Sequence, residues 1–109
     1  MFQKILTLVL VIFVIGSPSA WAMQEIMVTI KDHKFSPNVV EVPAGEKVKL
    51  VIINEDPTPE EFESHELKRE KIIQGNGKGV ILIGPLEVGE YPFFGEFNEA
   101  TAQGKVVVK

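Results

Sequence analysis

Beyond position 23 the apolar residues recur at every second position, and this constrains the fold more than any other feature. Ile26, Val28 and Ile30 alternate with Met27, Thr29 and Lys31, and Val48, Leu50 and Ile52 alternate with Lys47, Lys49 and Val51. A period of two marks strands, because successive side chains leave an extended backbone on opposite faces. Val106 and Val108 share one face of a last strand. Residues 80–83 form a continuous apolar run, the pattern of a strand covered on both faces. Turn signals separate these runs: Ser36-Pro37-Asn38, Pro43-Ala44-Gly45, Gly75-Asn76-Gly77 and Glu87-Val88-Gly89. Short strands at this spacing predict an all-β sandwich or barrel. Residues 66–71 have room for one helical turn at most, and no repeat is visible.

The first 22 residues read differently. Lys4 precedes an apolar run over residues 5–15 broken only by Thr7, then Gly16, Ser17 and Pro18, then Ala20-Trp21-Ala22. This is the pattern of a secretory signal with an A-x-A cleavage site, which predicts a mature domain over 23–109 and a periplasmic location. About 11 apolar residues fall short of the roughly 20 needed to span a bilayer, so contact with a membrane is expected only through an uncleaved signal. The 87 residues that remain suffice for one domain with a modest core.

Charge and cysteine content narrow the function. The chain carries 11 basic and 15 acidic residues, a net charge of −4, and loss of Lys4 with the signal takes this to −5. Such a surface has no electrostatic attraction for nucleic acid. There is no cysteine, which removes disulfides, thiolate nucleophiles, zinc–thiolate sites and the copper–thiolate bond of blue-copper centres.

The acids are concentrated in one place. Residues 55–66 hold Glu55, Asp56, Glu60, Glu61, Glu63 and Glu66 with no Lys or Arg. Pro57 and Pro59 favour an extended loop. If a strand follows, Phe62 points inward while Glu61 and Glu63 share the outer face. Such charge runs are commonly solvated edges. The functional alternative is a metal site, since carboxylate oxygens suit hard ions such as Fe³⁺, and mixed carboxylate–imidazole sets accept Cu²⁺. His65 lies within the acidic stretch, two and four residues from Glu63 and Glu61, placing it on the same face if the strand continues. His33, beside Asp32, is a weaker candidate that no spacing connects to the others. Among Tyr91, Phe93, Phe94 and Phe97, alternation predicts two core residues, with Gly95 marking a bend where backbone or ligand comes close. Gly75-Asn76-Gly77-Lys78-Gly79 lacks P-loop spacing and reads as a hairpin turn. Ser64-His65 is no triad signal, since triad groups meet in space.

Three stretches resemble a known family. FSPNVVEVPAGEKVKLVIINED (residues 35–56) is similar to the opening half of cupredoxins, and GEYPFFGEFNEATAQGKVVV (residues 89–108) to their closing hairpin, which carries most copper ligands; the resemblance implies an all-β Greek-key β-sandwich of cupredoxin type. EFESHELKREKII (residues 61–73) resembles the cupredoxin-like module of EfeO-type periplasmic iron-uptake proteins. The resemblance places Gly95 where cupredoxins have the ligand cysteine, Asn98 near the second histidine, Ala102 near the axial methionine, and Glu60 or Glu61 near the first histidine, so it implies that all four copper ligands are replaced. Glu96 follows Gly95 on that hairpin, and the resemblance brings it towards Glu61 or Glu63. The expected metal set is therefore Glu61, Glu63, Glu96 and His65, taking Fe³⁺ or Cu²⁺, in a non-enzymatic accessory protein beside an iron-uptake permease or a periplasmic iron-binding protein. The rival reading is a metal-free interaction module that docks a basic partner through the acidic loop. An oxidase-like enzyme finds too few strong ligands here.

Overall fold

The computed structural model describes residues 23–109, so the expected signal and its cleavage site lie outside the described residues. Among the described residues nine strands form two sheets: β1 (Gln24–Lys31), β2 (Lys34–Ser36), β3 (Val39–Val42), β4 (Val48–Asn54), β5 (Glu60–Ser64), β6 (Arg69–Ile73), β7 (Lys78–Ile83), β8 (Gly89–Gly95) and β9 (Gln103–Val108). One sheet has the order β2-β1-β4-β7 and the other β3-β9-β8-β5-β6. β1 runs parallel to β4 and β3 parallel to β9, and the remaining neighbours are antiparallel. The expected all-β sandwich is the fold observed.

The period-two pattern builds the core. Val28, Ile30, Leu50, Ile52, Ile81, Ile83, Val106 and Val108 face inward and are buried. At their centre lie three phenyl rings. Phe62 stacks on Phe93 with centroids 4.9 Å apart, and Phe35 meets Phe93 edge-on at 5.0 Å. Offset and edge-to-face pairs of this kind add to the burial of the rings themselves.

Three expectations need correction. The apolar run at residues 80–83 is not covered on both faces. β7 is an edge strand, and Val80 and Leu82 are 43% and 48% exposed while Ile81 and Ile83 are buried. A continuous apolar run cannot by itself distinguish an edge from a central strand. The glycine-rich turn after β6 is not a hairpin, because β6 and β7 belong to different sheets and the turn carries the chain across the sandwich. Of the four aromatic residues near the closing strand, only Phe93 is fully buried. Tyr91 packs on the core margin and Phe97 is about half exposed, since the chain leaves the strand after Gly95.

Asn54, at the end of β4, organises the loop that leads to the acidic strand. Its side-chain amide donates to the carbonyls of Thr58 (2.9 Å), Ile73 (3.2 Å) and Gln74 (3.3 Å), and its Oδ1 accepts from the Asp56 backbone N–H (3.0 Å). A buried amide with both ends satisfied holds the loop and the sheet-crossing turn together.

Candidate metal centre on the outer face of β5

The five residues of β5 alternate without a break. Glu60, Phe62 and Ser64 are buried, and Glu61 and Glu63 lie between them on the outer face. The expected register of Phe62 inside and Glu61 and Glu63 outside is the one observed. Glu70 on β6 pairs directly with Glu63, and Phe94 on β8 flanks Glu63 on the other side. Ligand oxygens of Glu61, Glu63 and Glu70 all lie within 4.8 Å of one another. Glu96, just beyond β8, lies close enough for its charge to act on both Glu61 and Glu63. Three of the expected ligands, Glu61, Glu63 and Glu96, are thus brought together.

Glu70 was missed by reading the sequence. It belongs to the site because a tight turn at residues 65–68 folds β6 back on β5 and sets Glu63 opposite Glu70. The EFESHELKRE segment contains that register, but only once the turn length is known. His65 stands apart from the expectation that it shares a strand face with Glu61 and Glu63. β5 ends at Ser64, whose hydroxyl donates to the Pro92 carbonyl (2.7 Å) and accepts the Leu67 N–H (3.0 Å), starting the turn. His65 is 74% exposed, with Nδ1 3.8 Å from Glu63 Oε2. It borders a shallow cleft of about 340 Å³ beside the carboxylates, shared with Lys68 and Arg69. His33 is not part of the cluster. It sits in the β1–β2 turn at φ 59° with its Nδ1 3.6 Å from Asp56.

The electrostatics agree with the geometry. Burial, followed by contact with Glu96 and the charges of Glu96, Glu70 and Glu63, pushes the Glu61 carboxyl up. Burial, followed by the charges of Glu96 and Glu70, pushes Glu63 up against the smaller opposing effect of His65. One oxygen of Glu63, Oε1, is buried without a hydrogen-bond partner. Like charges held this close favour a proton or a cation between them. Asp56 shows the reverse. The His33 backbone N–H (2.9 Å) holds its carboxyl below the usual range, helped by the Asp32 N–H (2.8 Å) and the charges of His33 and Lys31, although burial opposes this.

These shifts predict a pH optimum for the metal-free protein. Glu61 and Glu63 bind protons more tightly folded than unfolded, so stability rises as pH falls from neutrality towards the ordinary carboxylate value. The contribution of Asp56 is present above its unfolded value and is lost as pH falls through its lower folded value. The melting temperature of metal-free protein is therefore expected to peak at mildly acidic pH. A melting temperature that falls steadily from neutral to mildly acidic pH contradicts this assignment.

The inner side of the same end of the sandwich is closed. Glu60 is 2% exposed. Its Oε1 accepts from the backbone N–H groups of Phe97 (2.8 Å) and Glu61 (3.0 Å), and its Oε2 accepts from Asn98 Nδ2 (2.8 Å). A Cβ placed on Gly95 would lie 2.6 Å from the Glu60 carboxyl carbon and 2.7 Å from the Ala102 methyl group. Glu60, Gly95, Asn98 and Ala102, which the resemblance places near the four copper ligands, do converge. Their donor set is one carboxylate and one amide with no sulfur or imidazole, and the carboxylate fills the space between them. A blue-copper centre does not fit. Glu60 is also no part of the solvated edge that such an acidic run commonly forms, because alternation turns it inward.

Comparison with known proteins places this geometry. The sequence model of the cupredoxin-like domain matches residues 4–108. An uncharacterised protein of Rickettsia prowazekii (strain Madrid E) is 52% identical over 84 residues, covering 77% of this chain and 67% of its own. The metal-binding domain of the Streptococcus pneumoniae D39 Cu(I)-exporting P-type ATPase CopA, solved with Cu(I), is similar in fold, with a TM-score of 0.71 at 18% identity over 80% of this chain and 86% of that one. Auracyanin A, a blue copper protein of Chloroflexus aurantiacus, gives a TM-score of 0.69 at 14% identity over 81% of this chain and all of its own. With the two-sheet sandwich, the closing hairpin and the family match in agreement, the chain belongs to the cupredoxin-like domain family.

Proposed function

We propose that this protein is an extracytoplasmic, non-enzymatic metal-binding accessory protein that takes Fe³⁺ or Cu²⁺ on the outer face of β5, in the service of iron or copper uptake. The observation that carries the proposal is the convergence of Glu61, Glu63 and Glu70 oxygens within 4.8 Å, with the charge of Glu96 acting on Glu61 and Glu63. An all-oxygen set of this charge favours a hard cation, and the exposed imidazole of His65 beside Glu63 offers a nitrogen to Cu²⁺. The similarity of the fold to copper-binding domains supports a metal-related role, while the replaced inner pole directs attention to the outer face. An exposed site suits an ion that is handed on, to an iron-uptake permease or a periplasmic iron-binding protein, better than one that is kept.

Titration calorimetry and thermal melts with ferric citrate, Cu²⁺ and Zn²⁺ test this reading. A bound ion raises the melting temperature by mass action. The double variant Glu61→Gln/Glu96→Gln is expected to lose that rise and, by relief of repulsion, to melt slightly higher than the parent without metal. If the parent neither takes up an ion nor gains stability with any of the three, the metal reading gives way to a metal-free module that docks a basic partner.

A further inference from the structure

We infer that Glu60 replaces, with its own carboxylate, the ion that closes this end of the sandwich in metal-loaded proteins of the same fold, and that it positions Glu96 for the outer carboxylate face. The second half rests on the metal reading above; the first does not.

The argument begins with alternation. Glu60 and Glu61 are neighbours on β5, so one points into the sandwich and the other out. The inward carboxylate has no cationic partner among the described residues. It is satisfied by three N–H donors, two of them on the closing segment 37 and 38 residues away in sequence. Hydrogen bonds to a buried carboxylate are short and strong when all are made, and removal of the acceptor leaves the donors orphaned. The closing segment is built around this contact. Gly95 and Ala102 are small enough to leave room for the carboxyl group. The Gly95 N–H donates to the Ala102 carbonyl (2.9 Å), and the Asn98 carbonyl accepts the Ala102 N–H (2.9 Å). A metal joins distant strands by taking ligands from each; Glu60 does so by accepting hydrogen bonds from its own strand and from the closing loop.

The consequence reaches the outer face through one short turn. Residues Glu96–Asn98 form a single 3-10 turn. Glu60 grips Phe97 through its backbone and Asn98 through its side chain, so the turn that carries Glu96 is fixed from inside. Glu96 then stands beside Glu61 and Glu63, and among the described residues its carboxylate accepts no hydrogen bond from a cationic side chain. Glu60 touches no ion in this arrangement. It is a positioning residue, in the way that outer-shell partners hold the ligands of metal sites.

Two variants, Glu60→Ala and Glu60→Gln, test the inference. Glu60→Ala vacates a carboxylate-sized space lined by three N–H donors, so formate is expected to raise its melting temperature and leave that of the parent unchanged. A role limited to filling space predicts no such selectivity. Exchange of the Phe97 amide proton is expected to be faster in both variants than in the parent. Calorimetry with Cu²⁺ and ferric citrate is expected to show affinity reduced about 10- to 100-fold in both, as for other outer-shell partners, with formate restoring part of it in Glu60→Ala. If Glu60→Ala does not fold, amide exchange and ion affinity in Glu60→Gln decide the matter. Unchanged Phe97 exchange together with absent formate rescue overturns the clasp. Parent-like ion affinity in a variant with a loosened loop overturns the positioning role alone. Should the parent bind no ion, the metal reading fails, while formate rescue and amide exchange still decide whether Glu60 closes the pole.

Discussion

Phe62→Ala is expected to lower the unfolding free energy by about 3–5 kcal/mol, the usual cost of removing a buried phenyl ring. Phe62 is fully buried, stacks on Phe93 and meets Phe35 edge-on at 6.2 Å. The lost ring therefore leaves a cavity between two others that are themselves anchored on different sheets. Phe35 lies on β2 and Phe93 on β8, so neither can move into the space without dragging its strand. A domain of this size has a total stability on the order of 5–10 kcal/mol, and the variant would stand close to unfolding. Denaturant titration followed by the single-domain unfolding transition measures the loss. A midpoint equal to that of the parent would falsify the placement of Phe62 at the centre of the core.

The second large effect is expected from the smallest possible substitution. Gly95→Ala adds one methyl group and is expected to cost about 3 kcal/mol, the upper part of the range for overpacking. Backbone conformation plays no part in this, because Gly95 has φ −95° and ψ 111°, which any residue adopts. The cost comes from contact. The new Cβ would approach the Glu60 carboxyl carbon to 2.6 Å and the Ala102 Cβ to 2.7 Å. The Ala102 methyl is fixed to the backbone, and the Glu60 carboxyl is held by three hydrogen bonds. Something in the closing segment must therefore shift. Residues in contact couple, so the same substitution made in a Glu60→Ala background is expected to cost less. Equal costs in the two backgrounds would show that Glu60 and Gly95 do not share the space.

How much of this was legible beforehand differs from residue to residue. The strands around Val28, Leu50 and Val106 were readable, as was the inward Phe62 between outward Glu61 and Glu63, because alternation follows from the local geometry of an extended chain. The edge position of β7 was not. Its apolar residues 80–83 carry the same hydrophobicity whichever strands flank them, and the exposure of Val80 and Leu82 depends on what covers the sheet. The place of His65 was not legible either, for a related reason. Its sharing a face with Glu61 and Glu63 requires the strand to run on, whereas the Ser64 hydroxyl captures the Leu67 N–H and turns the chain.

The amino-acid sequence by itself determined that this protein is built of strands and that no copper–thiolate centre can form in it, since the first follows from local periodicity and the second from the absence of cysteine. Only the tertiary structure decided where each acidic residue sits and what it touches. Glu60, Glu61, Glu63 and Glu66 are four similar side chains in one short stretch. Their roles diverge because strand pairing brings Glu70 opposite Glu63, and because loop closure over 37 residues delivers the Phe97 N–H to Glu60. Pairing and closure are properties of the assembled sheets, whose strands meet only when distant parts of the chain bury their apolar faces against each other.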